Sequence, residues 1–575
     1  MSTLLLHSEK KPASTTRTSL DDDEKFPEGV SVDYHDVPKL GTPRDTSSRG
    51  LSSLWKKREK VELDEIATQP SVFDDPISLE SYRPPPQFEN AHRFDPNARW
   101  TWREEKAVVR KIDWKIMVWV FIMFFSLEMD RSNISQANAD NFLGDLGLTT
   151  NDFNLGNILF KLSFLCAELP SQLVSKRVGP DVWIPCQMVL WSLVSASQFW
   201  LSGKTSFLVC RCLLGFMQGG FIPDVVLYLS YFYTKTELPI RLAFFWISNY
   251  SSDMISAFIA TGVLRLRGVH GRAGWRYLFL IEGLFTLVVG LISFAMMPPG
   301  PTQTKAWYRP KGWFTEREEV IMVNRVLRDD PSKSDMHNRE GLSVRMIWEA
   351  VKDWRMWPLY TLGLTHLVPV GPPQTYLTLS LRNLGFTTTQ TSLLSIPSIV
   401  LGMAGLLTMS FISEAVNTRV GAAVVLQLWA LPLLIALYTF DHNTSQWVYF
   451  AVVTLIAGYP YVHPIQVGWA SRNSYSVRTR TVSASVYNMC VQTGSIISAN
   501  IYRADDKRLY KRGNRALIGI CCMNICLYIG NFVFYRTLNA RRERIWNSWT
   551  LKQQKEYIET TKDDGNKRMD FRFAY

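Results

Sequence analysis

A stretch of mixed chemistry interrupts one apolar run of the sequence, RCLLGFMQGGFIPD at residues 211–224. On a straight helix, Gly215 and Gln218 fall on the same stripe as Arg211, because they follow it by four and seven positions. A guanidinium in apolar surroundings can bind an anion through paired hydrogen bonds, and a nearby glycine leaves room for it. We therefore assign Arg211 and Gln218 to anion binding, with a structural arginine tied to neighbouring carbonyl oxygens as the alternative.

Acidic residues in apolar runs could carry protons. Asp224 ends the stretch above, and Glu168 lies in LCAELPSQLV, seven residues after Lys161. A carboxyl group removed from water can bind and release a proton near neutral pH, as coupling to a proton gradient requires. The alternative is that these charges hold neighbouring helices together.

Two further stretches combine histidine with glycine and proline, HLVPVGPPQTY at 366–376 and AGYPYVHPIQVGW at 457–469. Histidine titrates near physiological pH, so His366 and His463 could bind an anion or carry a proton. The alternative is that each is a packing residue whose hydrogen bonds are satisfied by its neighbours. Tyr376 could lend a hydroxyl group to the same site.

These residues lie in apolar runs long enough to cross a membrane. The chain has 575 residues, 47% of them hydrophobic, and a mean hydropathy of −0.03 conceals polar ends and a polar middle. A helix of about 20 apolar residues spans the hydrocarbon layer of a bilayer. Twelve windows qualify: 114–137, 154–174, 183–201, 205–232, 242–264, 275–297, 357–378, 391–413, 420–440, 446–468, 481–502 and 515–536. The predicted fold class is an all-α membrane protein with twelve transmembrane helices.

The spans form two sets of six, which predicts two pseudo-symmetric bundles. The sequence KRVG at 176–179, after the second span, is echoed by TRVG at 418–421, after the eighth, as an internal duplication requires. Five regions are predicted, namely a disordered cytoplasmic tail with an amphipathic end at 1–112, a six-helix bundle at 113–297, a cytoplasmic linker at 298–356, a second six-helix bundle at 357–536 and a cytoplasmic tail at 537–575.

The net charge of +12 fits membrane topology rather than nucleic-acid binding, because the basic residues concentrate beside span ends. Most of them fall on the cytoplasmic side if both termini are cytoplasmic. The basic loops at 265–272 and 503–515 would then lie on the opposite side. Most of the eight cysteines lie within spans, so neither a disulfide framework nor a metal site is predicted. No cofactor is expected. The expected partners are the lipid bilayer, protons and a small anionic substrate, with a functional monomer.

Backbone breakers concentrate in three spans, the fourth, seventh and tenth, and together with the first span these are one per predicted three-helix unit. The fourth span has Gly215 and Pro223, the seventh has Gly371 and Pro372, and the tenth has Pro460, while the first span turns polar. Amide and carbonyl groups freed at membrane depth must be satisfied by neighbours or by water. These spans are therefore expected to line a wet central path, with Pro223 bending the fourth span and the other breakers allowing the gates to move.

Four stretches together resemble the major facilitator superfamily, namely LEMDRSNISQAN, AELPSQLVSKRVGP, RCLLGFMQGGFIPD and GWRYLFLIEGLFT. More narrowly, they resemble the fungal allantoate permease branch of its anion–cation symporters, and within that branch a group linked to uptake of sulfonates and related sulfur anions. The resemblance implies alternating access and proton-coupled import of a small organic anion at the plasma membrane. It also implies proton coupling by Asp130 and anion binding by Arg131, with a structural knot between spans as the alternative.

The same resemblance assigns the loop after the second span, with Lys176, Arg177 and Gly179, to gating. The superfamily usually has an acidic residue where this chain has Lys176. Related symporters usually have a glutamate where this chain has Gln218, which cannot titrate, so the proton carrier is expected at another carboxyl.

The function predicted from the sequence is proton-coupled uptake of a small organic anion of the allantoate, vitamin carboxylate or sulfonate class. A membrane enzyme would need a clustered catalytic set at one interface, and no such set is evident, so no enzymatic activity is predicted. A sensor of the same fold that binds its ligand without net transport is the alternative.

Overall fold

Each of the twelve predicted spans, called segments 1 to 12 below, contains helix in a computed structural model of the protein. The structure describes residues 40–41, 62–86, 88–234, 237–334, 348, 351–416, 418–441, 444–474, 477–506, 509–561 and 565–575. All of them belong to one compact unit, Leu40–Tyr575. Over these residues there are isolated β-bridges but no β-strand, so the all-α fold class is confirmed.

The helices of the first half are mostly continuous. Segments 1 to 6 comprise Val118–Ala137, Thr150–Val178, Pro180–Ser197, the pair Lys204–Gln218 and Phe221–Leu229, Leu238–Val263, and Gly274–Met296. The second half is more interrupted. Segment 7 comprises Trp357–Thr365, Gly371–Thr375 and Leu377–Asn383, segment 8 comprises Thr388–Leu394 and Ile396–Val416, segment 9 comprises Arg419–Ala423 and Val425–Thr439, segment 10 comprises Gln446–Ala457 and His463–Asn473, segment 11 is Val477–Ser498, and segment 12 is Lys511–Ser548.

Not every segment is uniformly apolar. In the described part of the chain, five stretches are long and apolar enough to cross a membrane by length and composition alone: Lys204–Leu229, Gly274–Met296, Thr388–Ser413, Arg419–Thr439 and Lys511–Ser548. Segments 1 and 2 are also long helices, but charged residues such as Arg131 and Lys161 interrupt them. Because lipid does not accommodate such charges, segments 1 and 2 must turn them toward the protein interior.

Helix packing repeats between the two halves. Segments 1 and 5, 1 and 6, 2 and 4, and 3 and 6 pack together in the first half. The equivalent pairs 7 and 11, 7 and 12, 8 and 10, and 9 and 12 pack together in the second half. The halves meet through segments 2 and 11 and through segments 5 and 8. This is the arrangement of two related six-helix bundles around a central axis.

The N-terminal region differs from the expected disordered tail wherever the structure describes it. Arg328, on the linker helix Glu316–Asp329, lies 2.5 Å from Asp74, and Lys111 lies 2.7 Å from Glu318 of the same helix. Burial opposes ionisation of Glu318, but hydrogen bonds from Lys111 and Thr315 outweigh it and lower its pKa. The sequence analysis missed these ion pairs because their partners are distant in the chain and meet only in the fold. Residues 1–39 and 42–61 lie outside the described part.

The C-terminal tail docks at the same end of the molecule. Asn566 donates a hydrogen bond to the Asp353 carboxylate at 2.6 Å, and the Trp469 indole donates to the Ala574 carbonyl oxygen at 2.7 Å. The linker and the described parts of both tails therefore lie together, at what we call the linker end. The opposite end is called the far end.

The two basic loops that do not fit the predicted charge distribution, 265–272 and 503–515, lie at the far end, beside acidic residues. Arg267 pairs with Asp140 at 2.7 Å and also contacts Asp145. Arg512 pairs with Asp505. Because these carboxylates offset the basic residues, the loops carry less net positive charge than a count of arginines alone indicates.

The sequence analysis expected the bend of segment 4 at Pro223, but the structure has the break a few residues earlier. The helix ends at Gln218 and restarts at Phe221, and Gly220 between them has a φ of +92°, a conformation that favours glycine. Pro223 lies in the first turn of the new helix, where a missing amide hydrogen costs little.

Candidate functional site

A cavity of about 400 Å³ lies between the two bundles, within the size range of small-molecule sites. Segments 1, 2, 4, 5, 7, 8, 10 and 11 line it. Its charged lining residues all come from the first bundle: Glu128, Arg131, Lys161, Arg211 and Asp253. The described residues of the second bundle contribute uncharged groups, among them Gln374, Tyr376, Ser395, Tyr459 and Ser498.

Arg211 lies on the cavity wall and is 5% exposed. Its Nη2 donates to Asn157 Oδ1 at 3.0 Å, and its guanidinium carbon lies 4.5 Å from the centre of the Phe160 ring. Lys161, one helical turn from Asn157, donates to the Ser495 carbonyl oxygen at 3.2 Å. Among the described residues, neither cation has a carboxylate partner, so no protein carboxylate offsets the positive charge of either side chain.

Arg131 also lines the cavity, but it is already paired. Its Nη1 donates to Glu128 at 2.8 Å, and its Nε donates to Gln218 Oε1 at 2.9 Å. Gln218 is fully buried and reaches the site through Arg131. Because its charge is offset by Glu128, Arg131 is a weaker attractor for an anion than Arg211.

Asp253 of segment 5 is the second carboxyl on the cavity wall. It lies within hydrogen-bonding reach of Ser132 and within electrostatic range of Glu128. In the part of the chain that the structure describes, no lysine or arginine pairs with Asp253. The cavity therefore contains a carboxyl that no cation compensates, in addition to the two unpaired cations.

The three carboxyls that the sequence analysis selected for proton coupling do not line the cavity. Asp224 and Glu168 are 1% and 6% exposed and lie within electrostatic range of each other. The Ser171 hydroxyl is 3.5 Å from the Asp224 carboxylate. Asp130 accepts a hydrogen bond from Ser195 at 2.7 Å. All three lie within the first bundle, behind the cavity wall.

His366 and His463 are not among the residues that line the cavity either. Their rings stack on one another with centres 6.2 Å apart, and the ring of His463 meets Trp246 of segment 5 at 6.2 Å. His366 Nδ1 contacts the Leu362 carbonyl oxygen at 3.0 Å. His463 thus contacts the first bundle through Trp246, whereas the contacts of His366 lie within the second bundle.

Tyr376 does line the cavity, and it also joins the two bundles. Its hydroxyl donates to Asn154 Oδ1, while Asn154 Nδ2 donates to the Tyr502 carbonyl oxygen at 2.7 Å. Thr378 donates to the Ser135 carbonyl oxygen at 2.6 Å. These bonds, which we call the far-end lock, connect segments 1 and 2 with segments 7 and 11.

The predicted hinge residues lie where segments approach closely. A Cβ atom on Gly215 would be 2.1 Å from the Phe160 carbonyl oxygen. A Cβ atom on Gly371, which lines the cavity with Pro372, would be 2.4 Å from Ser498 Oγ. Pro460 lies in the break of segment 10 and would contact a Cβ atom on Gly405 of segment 8 at 2.9 Å. These positions are therefore sites of close packing beside the cavity.

The predicted gating loop follows the helix of segment 2. Gly179 has a φ of +96° and reverses the chain into segment 3, and Arg177 is exposed. The Lys176 side chain lies outside the described part of the structure. Two acidic residues of the first half already have partners elsewhere: Glu237 pairs with Arg325 of the linker at 2.6 Å. Glu282 is fully buried and accepts from Ser256 at 2.9 Å.

Among the lining residues that sequence reasoning missed are Glu128, Asp253 and Asn157. Asp253 had a signal, because it is an ionisable residue within a predicted span. Glu128 had a weaker one, since it precedes Arg131 by three positions, the spacing of a helical ion pair. Asn157 had none, because its role depends on where the Arg211 side chain points.

Two related six-helix bundles around a polar cavity define a multi-pass membrane transporter. The sequence agrees, since the family model described as Major Facilitator Superfamily matches residues 120–499. The chain belongs to the Major Facilitator Superfamily.

Relatives at several distances support this assignment. An uncharacterized transporter of Saccharomyces cerevisiae is 42% identical over 91% of this chain and 98% of its own length. An MFS-type transporter of Penicillium expansum is 27% identical over 71% of this chain and 79% of its own. A crystal structure of a bacterial homolog to the human lysosomal transporter Spinster shares the fold, with a TM-score of 0.53 and 16% identity over 73% of this chain and 96% of that one. The protein is thus a transporter and not an enzyme, and a sensor is not favoured.

Proposed function

We propose that the protein takes up a small organic anion together with protons by alternating access. The observation that carries this proposal is the position of Lys161 and Arg211 on the cavity wall without a carboxylate partner among the described residues. A cation removed from water is stabilised by a counter-charge, and an anionic substrate supplies one. The neutral second bundle adds hydroxyl and amide groups that can donate further hydrogen bonds to the anion.

We assign proton coupling to the buried carboxyls of Asp224 and Glu168. They lie next to the break of segment 4, where segments 2 and 4 pack together. No cation pairs with either in the described chain. Two nearby carboxyls without a cation are most stable when they share a proton. Asp130 is the alternative carrier.

The cargo we propose belongs to the allantoate, vitamin carboxylate or sulfonate class, in line with the resemblance to the fungal allantoate permease branch. We place the linker end in the cytoplasm and the protein in the plasma membrane, working as a monomer, because the basic residues beside the linker-end turns are typical of cytoplasmic loops. Growth of a carrier-deficient fungal host on single sulfur, nitrogen and vitamin sources, with and without the chain, would select the cargo.

Uptake of radiolabelled anions into proteoliposomes that contain the full chain tests the anion site. Arg211→Gln should raise KM by about tenfold or more, because a charge-assisted hydrogen bond is worth about 1.5–3 kcal/mol. Arg265→Gln, the same change at an exposed far-end residue, should leave KM unchanged. Equal effects of the two substitutions would refute the assignment.

An imposed pH gradient tests the coupling site. Asp224→Asn should abolish accumulation driven by the gradient but preserve exchange of labelled for unlabelled anion, because exchange needs no net proton movement. Asp64→Asn, which alters an exposed ion pair with Arg103, serves as the control. Undiminished gradient-driven accumulation by the Asp224 variant would overturn the assignment.

A further inference from the structure

The charges on the cavity wall are divided between two pairs of helices. Lys161 and Arg211 come from segments 2 and 4, which pack together, and we call them the cationic face. The other face comes from segments 1 and 5, which also pack together, and we call it the acceptor face. It consists of Glu128, Ser132, Gln136, Asn249 and Asp253. An anion alone would need only the first of these faces.

The residues of the acceptor face follow one stripe on each of its two helices. Glu128, Ser132 and Gln136 follow one another at four-residue intervals on segment 1, and Asn249 and Asp253 are four apart on segment 5, so each set lies along one stripe of its helix. All five line the cavity. Each of these five side chains includes an oxygen acceptor, so the two stripes present several acceptors to the same cavity.

A buried side chain on this face lacks a partner. Gln136 is 5% exposed, and its Oε1 has no hydrogen-bond partner in the described protein. A buried acceptor without a donor is costly. Because Oε1 can only accept and Gln136 lines the cavity, a hydrogen-bond donor that enters the cavity can satisfy it.

Of the two carboxyls on this face, one has a cationic partner and the other does not. Glu128 is paired with Arg131 at 2.8 Å, whereas Asp253 has no such partner among the described residues. With the Glu128–Arg131 pair neutral, the groups left without a partner of opposite charge are two cations on one face and one carboxyl on the other. A group that matches the acceptor face must be positively charged or a strong hydrogen-bond donor.

We propose that the substrate is a zwitterion, an organic anion that also carries a protonated amino group. Its anionic group binds Lys161 and Arg211, and its ammonium group binds Asp253, with Glu128 and Gln136 accepting further hydrogen bonds. This inference rests on the proposed function, since it assumes that the cavity binds an anion, and it narrows the cargo to small amino-anions.

Matched substrates separate this proposal from simple anion uptake. Proteoliposomes containing the full chain are supplied with two labelled pairs that differ only by an amino or a hydroxyl group: 2-aminoethanesulfonate and 2-hydroxyethanesulfonate, and 3-aminopropanoate and 3-hydroxypropanoate. For the pair whose uptake depends on Arg211, the amino member should have a kcat/KM at least about tenfold higher, as expected for a charge-assisted hydrogen bond.

Two substitutions should act on the pair in different ways. Asp253→Asn should reduce kcat/KM for the amino-anion about tenfold and leave the hydroxy-anion within about twofold. Glu128→Gln should also weaken the amino-anion, but it should preserve or improve the hydroxy-anion, because it releases Arg131. Glu556→Gln, at an exposed position of the C-terminal tail, should change neither substrate, and equal amounts of folded protein are verified by gel filtration.

The outcomes of the substrate comparison separate the zwitterion proposal from simple anion transport. Loss of both substrates to the same extent in Asp253→Asn, or Arg211-dependent uptake of hydroxy-anions without an amino preference, overturns the zwitterion proposal and leaves anion transport standing. Absence of any Arg211-dependent uptake for either pair also overturns the zwitterion proposal, while anion transport is decided separately by the growth selection and the Arg211→Gln uptake assay above. An amino preference that disappears in Asp253→Asn supports both.

Discussion

Two arginines on one cavity wall illustrate how the environment of a residue decides its role. Arg131 and Arg211 both lie over the Phe160 ring, at 5.9 and 4.5 Å from its centre. Arg131 donates hydrogen bonds to Glu128 and Gln218, whereas Arg211 donates to the side chain of Asn157. The same side chain is therefore a structural ion pair at one position and a free cation at the other.

This difference predicts the effect of restoring the glutamate that related symporters carry at the position of Gln218. Gln218→Glu adds a carboxylate beside Arg131 and near Arg211, so KM for the anion should rise about fivefold above neutral pH, from an electrostatic cost of about 1 kcal/mol. The loss should diminish as the medium is acidified, because protonation of the new carboxyl removes its charge. Uptake measured across a pH series checks both parts.

Gln187→Glu is the matched control, because Gln187 is also buried but donates to Ser171 and to the Gly219 carbonyl oxygen, at 2.7 and 3.0 Å. A carboxylate there would face oxygen atoms and no cation, so this variant should lose thermal stability. Should Gln218→Glu be equally destabilised, the assignment of Arg131 as its partner would be wrong.

At the scale of the elements, segments 2 and 4 depend on glycine for their close approach. A Cβ atom on Gly215 would overlap the Phe160 carbonyl oxygen, so Gly215→Ala must push the helices apart. Overpacking of this kind costs about 1–3 kcal/mol, and it moves the ring on which Arg211 lies. We expect a lower midpoint of thermal unfolding in detergent and a higher KM for the anion.

Gly530→Ala provides the control for this substitution. Nothing in the described structure lies within 4 Å of a Cβ atom built on Gly530, which is inside the helix of segment 12. Alanine is favoured over glycine within helices by about 1 kcal/mol, so its unfolding midpoint should stay the same or rise. A fall of similar size in both variants would show that Gly215 has no special packing role.

The elements were predictable from the sequence because the signals for them are local. Apolar runs located all twelve segments, and glycine and proline marked segments 4, 7 and 10 as broken, although the break of segment 4 falls at Gly220 and not at Pro223. What the sequence could not supply is how each segment is rotated about its axis. Asp253 faces the cavity whereas Asp224 and His366 do not, and this depends on partners that are distant in the chain.

For the whole molecule, the far-end lock and the anion site are parts of one helix face. Asn154, Asn157 and Lys161 are three and four positions apart on segment 2, so they lie along one side of it. Asn154 holds segments 7 and 11, and Asn157 holds Arg211. Alternating access requires the lock to open at some stage of the cycle. A ligand that moves Lys161, or that moves Arg211 and with it Asn157, therefore acts on segment 2, the helix that also carries Asn154 of the far-end lock.

This coupling predicts that Asn154→Ala weakens closure of the far end. The substitution removes two hydrogen bonds between the bundles, worth about 1–3 kcal/mol together, so the equilibrium should shift toward an open far end. Tyr376→Phe removes one of the two and should give a smaller shift.

Spin labels at the exposed residues Asn141 and Asn383, in a background without the eight native cysteines, report the distance between the bundles by pulsed electron resonance. Asn500→Ala, which loses a bond to the Ile496 carbonyl oxygen within segment 11, is the control. Distance distributions identical to those of the unsubstituted chain would mean that other contacts hold the far end closed.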